Sequence, residues 1–482
     1  MTTSLPTAAA APSRALVPVL VFLGMVVAVV SSLGAPLIPT IAQADHVSLA
    51  HAQWSLTITF LVGAVATPVL GRLGDGPRRR SVVLGALALV VLGSVLAALP
   101  LPFGWLLAGR ALQGVGLGLT SLAIAVARDH LEGERSRSAI ALLSVTTVAG
   151  VGLGYPLTGL IAQRGTFHAG FWFGAVVSAV ALLLAWAVVP ASTGRTAHPL
   201  DVRGAVLLGG ALTGLLLALS EAATWGWASV RLLGATAGSL LLLAAWVRLE
   251  LRTPHPLVDL RTLRRRPVLT ADVTGLLAGV GMYLLLSLVT RFVQTPSSAG
   301  YGFGASVVVA GLVLLPFSVG SVVASRIAPL VARRSSPELV LPLGCLVFLA
   351  ALLAFTLARG ELWMVFVTMG LAGLGVGGTF AALPGLIVAA VPATETGSAT
   401  GFNQVLRTVG YSAGSALSAT VLEAHTAVGA VLPDEVGYTV AGVLGCVVFA
   451  GTAVLSWLLP GRRRSAVAPT AGARTDRDRA AA

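Results

Sequence analysis

The chain has 482 residues, of which 56% are hydrophobic and 10% charged, with a mean hydropathy of +0.92. That composition excludes an ordinary soluble globule and describes an all-α polytopic membrane protein. The net charge of +13 comes entirely from arginine on the basic side and sits mostly in short loops between apolar runs, so it orients helices and gives no ground for a nucleic-acid partner. Cys345 and Cys446 both fall inside apolar runs and point to neither a disulfide framework nor a metal site.

A spanning helix needs roughly 20 mostly apolar residues. That rule picks out fourteen runs, near 15–38, 52–71, 81–99, 104–127, 138–163, 169–190, 203–221, 229–249, 267–290, 304–330, 338–358, 361–390, 399–422 and 437–460. The first is too long for a signal-peptide core and reads as an uncleaved helix. With both termini inside, inner loops and helix ends hold twenty-two arginines, among them Arg72, Arg78 to Arg80, Arg128, Arg264 to Arg266, Arg333 and Arg334. The outer ones hold four: Arg164, Arg231, Arg291 and Arg359. By the positive-inside rule the termini are expected in the cytoplasm, with the chain crossing the cell membrane.

In chain order, the second run ends in "GRLGDGPRRR", residues 71–80, where the arginines serve as topology anchors but Asp75 adds nothing to anchoring. The fourth carries Arg110 and Gln113 in "RALQGVG". An arginine about six residues into a helix is costly in hydrocarbon and turns to the bundle interior, either lining a functional cavity or bonding backbone carbonyls of a neighbour. The fifth contains "GVGLGYPLTGL", with Gly150, Gly154, Pro156 and Gly159 set for close helix packing and a bend. Glu221, near the outer end of the seventh run, reads as interfacial beside Trp225 and Trp227. Asp272 lies near the start of the ninth, either as a first-turn acid or as a coupling group. Asn403, Gln404 and Tyr411 lie on the thirteenth, and with Gln113 are the polar groups expected to face a pore; Arg407, about eight residues into the same run, is an interior functional candidate.

The chain also repeats itself. Leu112, Gly114, Gly116, Gly118 and Thr120 match Leu371, Gly373, Gly375, Gly377 and Thr379, Arg79 and Arg80 match Arg333 and Arg334, and Gly154-Tyr155 matches Gly410-Tyr411, all at nearly one offset. Two six-helix bundles with two extra central helices follow, a plan shared with one large transporter fold. The expected divisions are 1–190, 191–266 for the two linker helices, 267–460, and a disordered cytoplasmic tail over 461–482.

These motifs resemble those of the major facilitator superfamily, in particular its fourteen-helix drug:proton antiporter branch, across essentially the whole chain up to Gly461. Gly71, Leu73, Asp75, Arg79 and Arg80 match the family's first signature, with Arg78 where a second glycine is usual; Arg110, Gln113, Gly114 and Gly116 match the second; Gly150, Gly154, Pro156 and Gly159 match the antiporter signature, with Tyr155 inserted and Leu160 in place of its last glycine. The resemblance implies that Asp75 and its arginines latch a cytoplasmic gate and that the glycines and Pro156 shape the conformational change. It also implies a monomeric exporter of hydrophobic small molecules such as drugs, antibiotics or secondary metabolites, driven by the proton motive force without a cofactor, with protons and the lipid bilayer as its other partners.

Where relatives of that branch carry an acid in the first helix, this chain has Ser31 and Ser32, and no acid lies in the middle of any run. Candidates for proton coupling or substrate contact are therefore Arg110, Gln113, Asp272, Asn403, Gln404 and Arg407. If Arg110 and Arg407 line the cavity unpaired, anionic or neutral substrates are favoured over cations. A lipid or metabolite exporter, or a facilitator without the usual proton coupling, is the alternative within this class. A membrane sensor would need a long loop or a soluble domain, which is absent. An enzyme would need a catalytic cluster, but the seven histidines are scattered over different loops. ATP drive would need a P-loop lysine, which this chain lacks.

Overall fold

The structure, a computed structural model, describes residues 14–33, 37–47, 49–164, 167–191, 199–226, 228–334, 337–427 and 432–458. The predicted tail over 461–482 lies outside these residues, as does Trp227. Among the described residues all regular structure is helical: α1 (Leu16–Ser32), α2 (Ile38–Ala44), α3 (Leu49–Gly74), α4 (Arg79–Ala98), α5 (Phe103–Val115), α6 (Leu119–His130), α7 (Gly133–Arg164), α8 (Phe167–Val188), α9 (Val202–Trp225), α10 (Val230–Glu250), α11 (Arg266–Gln294), α12 (Val307–Val313), α13 (Leu315–Arg334), α14 (Pro337–Leu357), α15 (Leu362–Ala390), α16 (Thr396–Ala424) and α17 (Glu435–Leu458).

Among the described residues, eleven spans are long and apolar enough to cross a membrane, or twelve if α7, bent by about 40° between Thr146 and Val148, is one of them. Two predicted runs fall outside that set. Helix α1 has only 17 residues, and α16, although 29 residues long, carries Ser398, Thr400, Asn403, Gln404, Arg407 and Thr408.

Two predicted runs are subdivided and one is shortened. The first ends as a helix at Ser32, and the short α2 follows it. The fourth is broken between α5 and α6 by a 3₁₀ turn at Gly116–Gly118, next to a glycine that lets two backbones meet: a Cβ on Gly114 would lie 2.3 Å from the Thr59 carbonyl oxygen of α3. Short 3₁₀ stretches within helices often mark hinges. The tenth run divides at Leu314 into α12 and α13, where Pro316, in the first turn of α13, has no N–H to continue the ladder.

The packing forms two main apolar cores. One is built from α1, α3, α4, α6, α7 and α8 around residues such as Leu20, Leu87, Leu122 and Leu143. The other is built from α11 and α13 to α17 around Leu285, Phe317, Phe348, Phe380 and Phe449, and also takes Val145 and Val148 of α7. The bundles meet along two seams, α7 against α12, α13 and α15, and α16 against α3 and α6. Leu183, Trp186, Leu241 and Val447 face outwards, as a lipid-covered surface requires.

Helices α9 and α10 pair with each other beside the second seam, where Leu208, Leu212, Leu216 and Trp246 pack with Ala64 of α3 and Val405 of α16. The loop after α10 folds back underneath and inserts Leu257, Val258 and Leu260 into the same cluster. Trp246 is 1% exposed and donates its indole N–H to Glu250 at 2.8 Å, which fixes the end of α10 over that loop. Trp246→Ala is expected to cost about 3 kcal/mol, lowering the melting temperature in detergent. Limited proteolysis should then cut within 252–256 before it cuts any loop of the first bundle; unchanged cleavage order would show that the pair is held elsewhere.

Candidate functional site

Helix α3 ends at Gly74, and Gly76 and Pro77 turn the chain into α4. Asp75 sits at that turn and points across the seam to the start of α16. Its Oδ1 accepts from the Gly397 N–H at 2.7 Å and its Oδ2 from the Ser398 N–H at 2.9 Å. One carboxylate thus satisfies two of the four N–H groups that a helix leaves unpaired at its N-terminus, where the helix dipole favours negative charge. The approach depends on Gly71, because a Cβ there would lie 2.5 Å from the Gly397 carbonyl oxygen. Arg78, at the position of a usual glycine, has φ −100° and is exposed, so the turn demands no left-handed residue.

The three arginines of this turn differ in role. Arg79 is 1% exposed. It donates to the carbonyl oxygens of Gly74 at 2.5 Å and Ala125 at 2.8 Å, pairs with Asp129 and lies 3.8 Å from Asp75. This is a buried network at the ends of α3, α4 and α6 and not an anchor among lipid headgroups. Arg80 reaches the Trp186 carbonyl of α8 at 2.6 Å. Arg128, the neighbour of Asp129, crosses the seam to the carbonyl oxygens of Val391 at 3.0 Å and Pro392 at 3.1 Å and to the Thr396 hydroxyl. On the other seam the arginine-rich ends are joined by an exposed Arg333–Glu134 pair at 2.9 Å.

The third signature builds a packing surface. Cβ atoms on Gly150 and Gly154 would lie 2.2 Å from the Ala28 Cβ and 1.9 Å from the Ser32 Oγ of α1. The opposite side of α7 crosses the seam, with the Ser318 hydroxyl donating to the Ala149 carbonyl at 2.8 Å and Pro156 lying against Gly311. Gly159 continues α7 one turn beyond Pro156, and Ser144 bonds the Phe380 carbonyl of α15.

Midway along the seam lies a cavity of about 20 Å³. Ala28, Ser31 and Ser32 of α1, Phe60 of α3 and Leu117 of the 3₁₀ break form one wall; Met282 and Tyr283 of α11 with Gln404, Thr408 and Tyr411 of α16 form the other. Gln404 and Tyr411 are therefore where sequence expects pore-facing groups, and Ser31 and Ser32 also reach the space.

Arg110 and Gln113 do not line this cavity. Arg110 is fully buried within the first bundle, donating to the carbonyl oxygens of Ser55 at 2.8 Å, Val30 at 3.0 Å and Ser31 at 2.9 Å and to Gln113 Oε1 at 2.5 Å; Gln113 in turn donates to Ser94 at 2.9 Å. Of the two readings open to sequence, the geometry is that of an arginine tying α5 to α1 and α3 through their backbones. Asp272 is 3% exposed between α11 and α16, and Asn403 donates to it at 2.9 Å and to the Ala271 carbonyl at 3.0 Å. One turn further along α16, Arg407 stacks on the Phe380 ring at 3.7 Å and donates to the Tyr411 hydroxyl at 3.2 Å. Glu221 is half-buried near the end of α9, away from these groups.

Sequence reading misses Arg128, Asp129 and the Glu134–Arg333 pair as members of the site, because each looks like another charged loop residue. The adjacent Arg128-Asp129 pair at the end of the fourth run is the signal that was available.

Burial raises the Asp75 carboxyl to about 6, against the opposing pull of the Ser398 and Gly397 N–H groups and of Arg79. If the bundles part here the carboxyl returns to water and to about 3.9. The joined arrangement therefore holds the proton more tightly: its advantage is full below about 4 and fades as pH rises through about 6, a loss of about 3 kcal/mol. Spin labels at the exposed positions Arg78 and Thr394 should show the short-distance population falling between pH 5 and pH 8, and Asp75→Asn should flatten that dependence. A short-distance population that grows with pH contradicts this assignment.

The profile of the Major Facilitator Superfamily matches residues 20–415 and 295–480. The tetracenomycin C resistance and export protein of Streptomyces glaucescens is 30% identical over 420 residues, covering 85% of this chain and 76% of that protein. The multidrug resistance protein Stp of Mycobacterium tuberculosis is 28% identical over 391 residues, covering 80% and 72%. Among solved structures, the human organic anion transporter MFSD10 (TETRAN) has the same fold, with a TM-score of 0.63 at 18% identity over 92% of this chain and 99% of that one. A helical protein in two bundles, with a cavity on the seam between them and these relatives, is a multi-pass membrane transporter and not an enzyme: the chain belongs to the major facilitator superfamily.

Proposed function

We propose that the protein exports hydrophobic small molecules across the cell membrane by proton antiport, its two bundles rocking about the central cavity. The observation that carries this reading is the position of that cavity: its walls come from both bundles, and polar ties across both seams lie at one end of it. Walls divided in this way open to alternate sides when the bundles rotate. The arginine excess places the joined end in the cytoplasm, with both termini there, fourteen spans, and bundles over 1–190 and 267–460 separated by the linker pair over 191–266. On this assignment the cavity of this conformation is closed to the cytoplasm, and Asp75 and Arg128 are latches. The Streptomyces resistance and export protein and the Mycobacterium multidrug resistance protein support export and resistance as the biological setting.

Asp272 supplies the coupling group. A carboxyl buried between spanning helices and met by an amide instead of a cation is able to take up and return a proton as its surroundings change. Asn403 carries the consequence to α16. Arg407, one turn beyond Asn403, is held on Tyr411 and Phe380.

The test uses proteoliposomes with an imposed pH gradient, an internal pH dye and a panel of cationic, neutral and anionic hydrophobic compounds. Compound-dependent proton movement is expected, reduced roughly tenfold or more in Asp272→Asn, with compound binding kept. The second reading, a facilitator or an exporter of lipids or metabolites with other coupling, is favoured by one observation: Ser31 and Ser32 occupy the cavity wall where an acid is usual in this branch. Compound flux without proton movement would establish it.

A further inference from the structure

We propose that the central cavity selects uncharged, planar aromatic molecules bearing carbonyl or hydroxyl oxygens on their edge, and that it rejects hydrophobic cations. The inference rests on the transporter reading and names the substrate class of that site.

None of the ten residues on the cavity wall carries a charge. The arginines that sequence places in the interior do not alter this. Arg110 is committed to three backbone carbonyls and Gln113. Arg407, 2% exposed, lies behind Tyr411 with its guanidinium against Phe380. A cation entering would therefore lose its hydration, meet no acid on the wall and approach a fixed positive charge at low dielectric. An anion would find no accessible guanidinium to pair with it, so of the anionic or neutral substrates that unpaired arginines would favour, the neutral ones remain.

The hydrogen-bonding groups that remain define what a neutral ligand must carry. The hydroxyls of Ser31, Ser32 and Thr408 are turned back onto their own helices, donating to Val27 at 2.7 Å, Val29 at 2.9 Å and Gln404 at 2.9 Å. The side-chain amide of Gln404, a residue only 6% exposed, has no partner among the described residues. Tyr283 likewise has no hydrogen bond from its hydroxyl among them. Tyr411 accepts from Arg407, which leaves its own proton to donate. The wall therefore offers one amide, both donor and acceptor, and two phenol donors, a set matched by carbonyl and hydroxyl oxygens and unsatisfied by a plain hydrocarbon.

Shape gives the planarity. The Tyr283 and Tyr411 rings stack with centroids 4.6 Å apart at 27°, and Phe60 stands on the opposite wall. A flat ring system extends such a stack. At about 20 Å³ the space admits no such molecule in this conformation, whereas ligand pockets measure roughly 300 Å³ or more. Binding therefore requires the bundles to part, and the ligand selects the opened arrangement.

The experiment measures equilibrium binding to the full-length protein in nanodiscs, by quenching of intrinsic fluorescence, with three planar probes: 1,8-dihydroxyanthraquinone, anthraquinone-2-sulfonate and ethidium. The uncharged quinone is expected to bind roughly tenfold tighter than either charged probe, and Gln404→Leu or Tyr283→Leu to weaken it by about the same factor. Gln404→Glu, which adds the missing negative charge, should shift preference towards ethidium, with melting temperatures confirming that each variant is folded. Equal or tighter binding of ethidium or of the sulfonate by the unaltered protein, or an unchanged quinone affinity in both folded Leu variants, overturns the proposal. Compound-driven flux of cations in proteoliposomes alongside absent quinone binding overturns it while leaving the transporter reading intact; absence of flux and binding for every compound removes the transporter reading itself.

Discussion

Asp75 places a carboxylate of the first bundle on the first N–H groups of α16 in the second, and the polar groups of the second bundle nearest the cavity lie along the helix that this contact holds. From Gly397, α16 runs past Asn403 on Asp272, Gln404 on the cavity, Arg407 on Phe380 and Tyr411 on Tyr283. Those positions span roughly 21 Å at 1.5 Å per residue. A helix buried along this length moves as a body, because its neighbours are packed too closely for it to bend residue by residue. Freeing or fixing its N-terminus therefore reaches the cavity wall without any chain of intermediate rearrangements.

The environment explains which kinds of contact hold the seams. Lipid is as apolar as leucine, so burial of apolar surface between the bundles contributes little, and close backbone packing and hydrogen bonds do most of the work. Gly71 against Gly397 and Pro156 against Gly311 supply the first; Asp75, Arg128, Ser144 and Ser318 supply the second. Such seams are strong where polar groups meet in shelter from water and weak once water enters. That is the property a rocking transporter needs at the end that must open.

The helical plan was legible in the sequence because hydrocarbon thickness and loop arginines impose a period that a single chain reveals. Where the reading fell short, the cause was geometry at a depth that pattern does not encode. Nothing in "RALQGVG" distinguishes an arginine facing a cavity from one bonded to Ser55, Val30 and Ser31, since those carbonyls belong to other helices. The first run's length did not predict that its helix ends at Ser32, nor did its composition predict α2. Asp75 stood out in the sequence as a residue that anchoring does not explain, but its partner is a pair of backbone N–H groups, and these have no sequence signature. Arg128 and Asp129 were overlooked for the complementary reason: their chemistry was visible, but the position of Arg128 opposite Val391 and Thr396, and of Asp129 beside Arg79, was not.

If the protein is an antiporter as proposed, the placement of Asp272 sets how a proton and a ligand exchange. From Asp272 to Tyr283 is roughly 16 Å along α11, so a ligand on the tyrosines and a proton on the carboxyl do not compete for the same space. In a transporter whose acid stands on the cavity wall, displacement is direct. Here the polar groups that α1 brings to that wall, among the described residues, are Ser31 and Ser32, both already bonded to their own backbone. Under the proposed antiport the two events must communicate through α16, since Asn403 meets the acid and its neighbour Gln404 meets the cavity. A ligand that draws on the Gln404 amide shifts the same turn of helix that positions Asn403. The proton then leaves or arrives because its hydrogen-bond partner has moved, and the linkage lies in the helix rather than in the pocket.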